Sequence, residues 1–168
     1  MSEYIEFSVV DMIRFEDLQK VFNKLKTDKD QDAIGGDDEY LVLFDEQARE
    51  YFRWSTPAED ELWAKRWFAR PVETRWTDLS LDRGWDFGSM IEAFNHGEYN
   101  LLTCEIIGAN IARLDFYALG YPYGGTGCME ALVESFGFKV TLIANGGEPP
   151  YCVLNRINII LICIINRL

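Results

Sequence analysis

Between residues 99 and 144 the chain alternates, turns, alternates again, passes through a glycine-rich loop, and closes with a helix and a third alternating run. In the first run, 99–107, strict alternation places Leu102, Cys104 and Ile106 on one face. Gly108, Ala109 and Asn110 interrupt it, and because Gly and Asn tolerate positive φ this break reads as a hairpin turn. The partner run, 111–119, puts Ala112, Leu114, Phe116 and Ala118 on one side and Arg113, Asp115 and Tyr117 on the other. One apolar and one polar face is the pattern of an antiparallel sheet covered on a single side.

The loop 120–127 then feeds a helix whose stripe is Met129, Leu132, Val133 and Phe136, at i, i+3, i+4 and i+7. Gly137 suits a left-handed helix end, and Phe138, Val140, Leu142 and Ala144 alternate as a further strand. Upstream, Ile5, Phe7 and Val9 mark a first strand, and Phe15, Leu18, Phe22 and Leu25 a helix to about Lys26. Residues 40–44 read as a strand, with 50–54 as its hairpin partner or 46–53 as a helix.

Two helix starts are written in side-chain chemistry. Thr56, Pro57 and Glu59 form a capping box with proline at the first helical position, and the helix ends near Arg70 because Pro71 follows. Asp86 caps a helix carrying Phe87, Met90, Ile91 and Phe94, with Gly97 ending it. Residues 72–84 read as a covering loop.

The 168 residues suffice for one well-buried core. We expect an α+β fold with a mostly antiparallel sheet of about five or six strands and helices packed on one face. The single domain spans residues 1–148. Residues 149–168 form an apolar C-terminal segment, either an extra strand or a non-native tail. Its run Ile159, Ile160, Leu161, Ile162, Cys163, Ile164 and Ile165 is too short to span a bilayer and, if exposed, would drive homo-oligomer formation.

The formal net charge of -12 opposes binding to nucleic acid or anionic membranes and favours a basic protein partner. The four cysteines lack C-x-x-C spacing and the N-terminus lacks the features of a secretion signal, which together indicate a cytoplasmic protein with reduced thiols.

Four weaker features carry chemistry. Asp28, Asp30 and Asp32 alternate after a helix, and Glu39 is the twelfth residue of the run. This resembles the calcium loop of EF-hand proteins, which implies calcium as the only cofactor in view, although Ala33 stands where that loop turns on glycine. Gly124, Gly125, Thr126 and Gly127 precede a helix, either as an anion cradle or as a turn capped by Thr126. Cys128 sits in that helix's first turn, where the dipole lowers a thiol pKa, and His96 is the only histidine available to it. Trp63 and Trp67 read as core residues. Trp54, Trp76 and Trp85, with Arg113, Asp115 and Tyr117 on the sheet's polar face, read as partner-binding residues.

The leading expectation is an acidic, non-catalytic binding protein of the immunity or inhibitor kind. The alternatives are a small-molecule-binding domain or enzyme working at loop 124–128 with Cys128 and His96, and calcium binding at residues 28–39.

Overall fold

The strand nearest the N-terminus lies in the middle of the sheet. The computed structural model describes residues 3–75, 77–120, 124–145 and 151–153. Strand β1 (Glu3–Ser8) leads into the long helix α1 (Met12–Asp30) and two short helices, α2 (Asp37–Leu41) and α3 (Glu46–Glu50). Helix α4 (Pro57–Ala69), the single turn α5 (Val72–Arg75), a 3-10 turn at Leu79–Leu81 and α6 (Phe87–His96) follow. The chain closes with the hairpin of β2 (Tyr99–Gly108) and β3 (Ile111–Ala118), then α7 (Gly127–Ser135), β4 (Lys139–Ala144) and the short β5 (Tyr151–Cys152).

All five strands pair antiparallel in the order β2-β3-β1-β4-β5. The architecture is α+β. Ile5 and Phe7 of β1, with Leu114 and Phe116 of β3, are fully buried on one face. That face is covered by α1 through Leu18, Phe22 and Leu25, and by α7 through Met129, Leu132 and Val133. The opposite face carries Glu6, Arg113, Asp115 and Tyr117, which remain partly or largely exposed. Among the described residues no helix is long and apolar enough to cross a membrane.

The turn chemistry behaves as its residues require. Asn110 adopts φ 60 between β2 and β3, and Gly137 adopts φ 83 just past α7. In α4 the Thr56 side chain accepts from Glu59 N while the Glu59 carboxylate accepts from Thr56 N, completing the capping box. The Asp86 side chain accepts from Ser89 N at the start of α6.

Six local expectations are corrected. Residues 40–44 do not form a strand: α2 occupies Asp37–Leu41, its first turn lined by Asp37, Asp38 and Glu39 at the favourable end of the dipole. Tyr40, Phe44, Ala48 and Phe52 recur every fourth position and all are buried, so the segment follows helical spacing. Helix α1 runs one turn beyond Lys26, supported by Lys24–Asp28 at 2.7 Å and Lys26–Asp30 at 3.3 Å.

Alternation breaks in two strands because each contains a bulge. In β2 the register steps from Leu101 opposite Phe116 to Thr103 opposite Asp115, so Leu102 is the extra residue and is exposed, while Leu101 and Cys104 face the core. In β4 the step falls between Val140 and Leu142, which sends Ile143 rather than Leu142 inward. Residues 72–84 are not an unstructured cover, since they hold α5 and the 3-10 turn.

Finally, α4 buries none of its residues, and Trp63 and Trp67 are half-buried rather than core. Tyr151 and Cys152 pair with β4. The isoleucine run 159–165 lies outside the described residues.

Candidate functional site

The segment from the last turn of α1 through α3 carries a marked excess of negative charge. Residues 28–50 include nine carboxylates and two cations, Lys29 and Arg49. Both cations are turned inward onto helix ends. Lys29 Nζ donates to the carbonyls of Phe94 and Gly97 at 2.7 and 2.8 Å, where α6 terminates. Arg49 donates from Nε to the Phe44 carbonyl at 2.8 Å and from Nη2 to the Leu41 carbonyl at 2.9 Å, just after α2. Helix C-termini attract cations, so these two are held there.

What remains outside is negative. Asp30, Asp32, Asp37, Asp38, Glu39, Asp45, Glu46 and Glu50 are exposed. Asp30 is bonded to Lys26 and Asp45 to Arg14 at 2.7 Å. The other six make no ion pair among the described residues. Asp28 is the inward member of the group. Burial opposes its ionisation, but hydrogen bonds from Lys24 and from the Tyr40 hydroxyl at 2.6 Å outweigh that and hold its carboxyl below the ordinary value. The Tyr40 phenol is pushed up in turn, by burial first and then by its bond to Asp28.

Trp54 stands at the margin of this acidic strip. It is 56% exposed, yet its indole Nε1 donates to the Arg49 carbonyl at 3.0 Å and its ring stacks on Phe87 with centroids 6.0 Å apart. The side chain is therefore held in one orientation before any partner arrives.

The other partner-binding candidates sit elsewhere. Trp85 is half-buried, and a Cβ at Gly127 would lie 3.0 Å from its Cζ2. Trp76 lies outside the described residues. Arg113 bonds Glu6 at 2.6 Å and stacks over Tyr4 at 4.1 Å, and Asp115 accepts from Thr103 at 3.0 Å. Tyr117 is 51% exposed. These last three occupy the sheet face opposite the helices and are not part of the strip.

The EF-hand-like run is divided between elements. Asp28 and Asp30 belong to α1, Asp32 has φ 53 in the connection, and Glu39 belongs to α2 with its carboxylate folded over Gly35. No three His, Cys, Asp or Glu side chains among the described residues are disposed to hold a metal ion.

At the glycine-rich loop, Gly124 and Gly125 adopt φ 96 and 79, as a turn at those positions requires. Thr126 does not cap α7: its hydroxyl donates to Glu130 at 2.7 Å instead. Cys128 is buried, its sulfur 3.1 Å from the Tyr99 hydroxyl. Burial pushes its thiol up to about 11 against the opposing pull of Tyr99, nearby backbone amides and Lys29, so the expected dipole-lowered thiolate is reversed. His96 is exposed on the last turn of α6, 3.9 Å from Glu92. It borders a shallow cleft with Gly35, Gly36 and Asp37, to which Cys128 does not contribute. The two are not brought together.

Sequence reasoning missed Asp37, Asp38, Glu46 and Glu50 as members of one surface. A running charge count would have found them, because nine acids against two bases in residues 28–50 is a local excess visible without coordinates. Comparison with protein-family models, with curated proteins and with solved structures finds no match to this chain.

Proposed function

We propose that this chain is an acidic, non-catalytic binding protein of the immunity or inhibitor kind, which engages a basic protein partner through the strip formed by the end of α1, α2 and α3. One observation carries the reading: both cations in that strip are consumed on backbone carbonyls, and six of its exposed carboxylates make no ion pair among the described residues. Such a surface accelerates encounter with a basic protein. Trp54, rigid and exposed beside it, supplies the aromatic anchor that electrostatic steering alone lacks. The setting is the cytoplasm, in keeping with Cys104, Cys128 and Cys152 being free thiols.

The test is affinity capture of the partner from cells that make this protein, followed by stopped-flow association with the purified partner. The association rate should fall by about tenfold or more between low and high salt, because screening removes steering. Asp38→Lys combined with Glu50→Lys should slow association, whereas Trp54→Ala should speed dissociation. A partner of acidic character, or association indifferent to salt, would refute the reading.

A further inference from the structure

Helix α4 is firmly built and yet has no residue to spare for its own core. Its capping box and its proline at the first position fix the start. One side rests on local partners: Trp63 and Trp67 stack at 5.1 Å, Arg83 covers Trp63 at 4.9 Å, and Trp63 Nε1 donates to the Leu81 carbonyl at 3.0 Å. The other side presents Ala58, Leu62, Lys65, Phe68 and Ala69, spaced by three and four and all exposed. Leu62 is 52% exposed and Phe68 72%. Among the described residues the Arg75 guanidinium lies 5.5 Å from the centre of the Phe68 ring, yet Leu62 and Phe68 both stay more than half exposed, and an ordered helix with such a face gains by being covered.

The charges say what covers it. Residues 53–83 hold six acids and six bases, so this arm is neutral while the chain as a whole is -12. A basic partner is drawn to the rest of the molecule rather than here. Two copies of the chain, by contrast, repel everywhere except where the net charge vanishes. Glu59 is held in the capping box, Asp60 by Arg53 and Arg83, and Arg70 by Asp78, which leaves α4 with Glu61 first and Lys65 and Arg66 later along its length. Antiparallel packing of two α4 helices about a two-fold axis between Leu62 and Lys65 sets each Glu61 against the other's Lys65 and Arg66. It also sets Ala58 near the partner copy's Ala69 end, where small side chains permit close approach. Such an arrangement is self-complementary, as a two-fold interface must be.

We propose that the outer face of α4 docks antiparallel onto the same face of a second copy of this chain, forming a homodimer. The Glu61–Lys65 pair within the helix, 2.8 Å apart with both side chains about seven-tenths exposed, is worth little on its own and is free to exchange across the dimer. This surface is separate from the acidic strip and does not depend on the reading of that strip.

Sedimentation velocity over a concentration series decides the matter. The wild type should shift toward twice the monomer mass as concentration rises. Phe68→Asp should leave it monomeric with an unchanged circular dichroism spectrum. Glu61→Lys alone and Lys65→Glu alone should each raise the dimer Kd by about tenfold, while an equimolar mixture of those two variants should form a heterodimer and the double exchange should restore the homodimer. A wild type that stays monomeric at every concentration overturns the proposal. So does a dimer that survives Phe68→Asp, which would place the interface elsewhere, for example at the C-terminal apolar segment. A mixture of the single variants that associates no better than either alone overturns it as well.

Discussion

Lys29 Nζ donates to the carbonyl oxygen of Gly97 across 2.8 Å, joining the end of α1 to the end of α6 although 68 residues separate them. The same ammonium lies 4.8 Å from the centre of the Tyr99 ring. Burial depresses the Lys29 pKa, which takes back part of the gain from these contacts. Replacing Lys29 with Met keeps the aliphatic stem and removes only the donor. The expected loss is about 1–2 kcal/mol, read as a lower urea midpoint with an unchanged slope.

Gly97 is fixed by space rather than by backbone freedom. Its φ is -64, which any residue adopts, but a Cβ there would overlap Cε1 of Tyr99. That ring is held by its hydroxyl against Cys128 and the Ala93 carbonyl. Gly97→Ala should therefore destabilise by about 2 kcal/mol through overpacking. Gly108→Ala, with nothing within 4 Å of the new methyl, should be near neutral in the same denaturation series.

Phe44 is the hub of an aromatic cluster, with ring centroids 5.0 Å from Phe87, 5.2 Å from Phe136 and 5.9 Å from Phe52. It ties α2 and α3 to α6 and α7. Phe44→Ala should cost about 3–5 kcal/mol and is the substitution expected to unfold the chain at physiological temperature. Thermal denaturation followed by near-ultraviolet circular dichroism measures it.

Thiol chemistry should follow burial. Cys128 and Cys104 are buried with their thiols pushed up to about 11 and about 12, while Cys152 is exposed. At pH 8 in native conditions iodoacetamide should alkylate Cys152 about two or more orders of magnitude faster than Cys128 or Cys104, and denaturant should erase the difference. Peptide mass mapping over a time course gives the ratio. Rapid labelling of Cys128 in the folded protein would contradict the packing around Tyr99.

Acid should loosen the arm before the core. Asp60 accepts from Ser55, Arg83 and Arg53, and these bonds, Ser55 first, lower its carboxyl from 3.8 to about 2. A depressed carboxylate pKa contributes stability that is complete above the ordinary value and is lost as pH falls through the depressed one. Tryptophan emission from Trp63 and Trp67 should therefore shift between pH 3.8 and about 2. Asp60→Asn should remove that step.

Much of this fold is readable from short-range chemistry. The capping box at Thr56 and Glu59, the Asp86 cap, the positive φ at Asn110 and the turn at Gly137 each depend on residues within a few positions, and each forms. The bulges at Leu102 and Thr141 were illegible because an inserted residue is chosen by the partner strand's register, not by its own neighbours. Residues 40–44 misled for another reason. A short apolar run fits a strand or a buried helix alike, and the spacing of Tyr40, Phe44, Ala48 and Phe52 is that of a helix. Of the acidic strip, the charge excess was visible in the sequence. The inward turn of Lys29 and Arg49 was not, since it requires knowing which distant helix ends lie beside them.

The placement of β1 sets the order in which this molecule can be made. Its neighbours are β3 and β4, and the ion pair between Glu6 and Arg113 spans 107 residues. On the ribosome, Ile5 and Phe7 are made before either sheet neighbour and wait, unpaired, until synthesis has passed Ala118, and for their second neighbour until it has passed Ala144. Closure dominated by such remote pairings is slow, and a nascent chain holding apolar strand residues open for that interval is a natural client for chaperones.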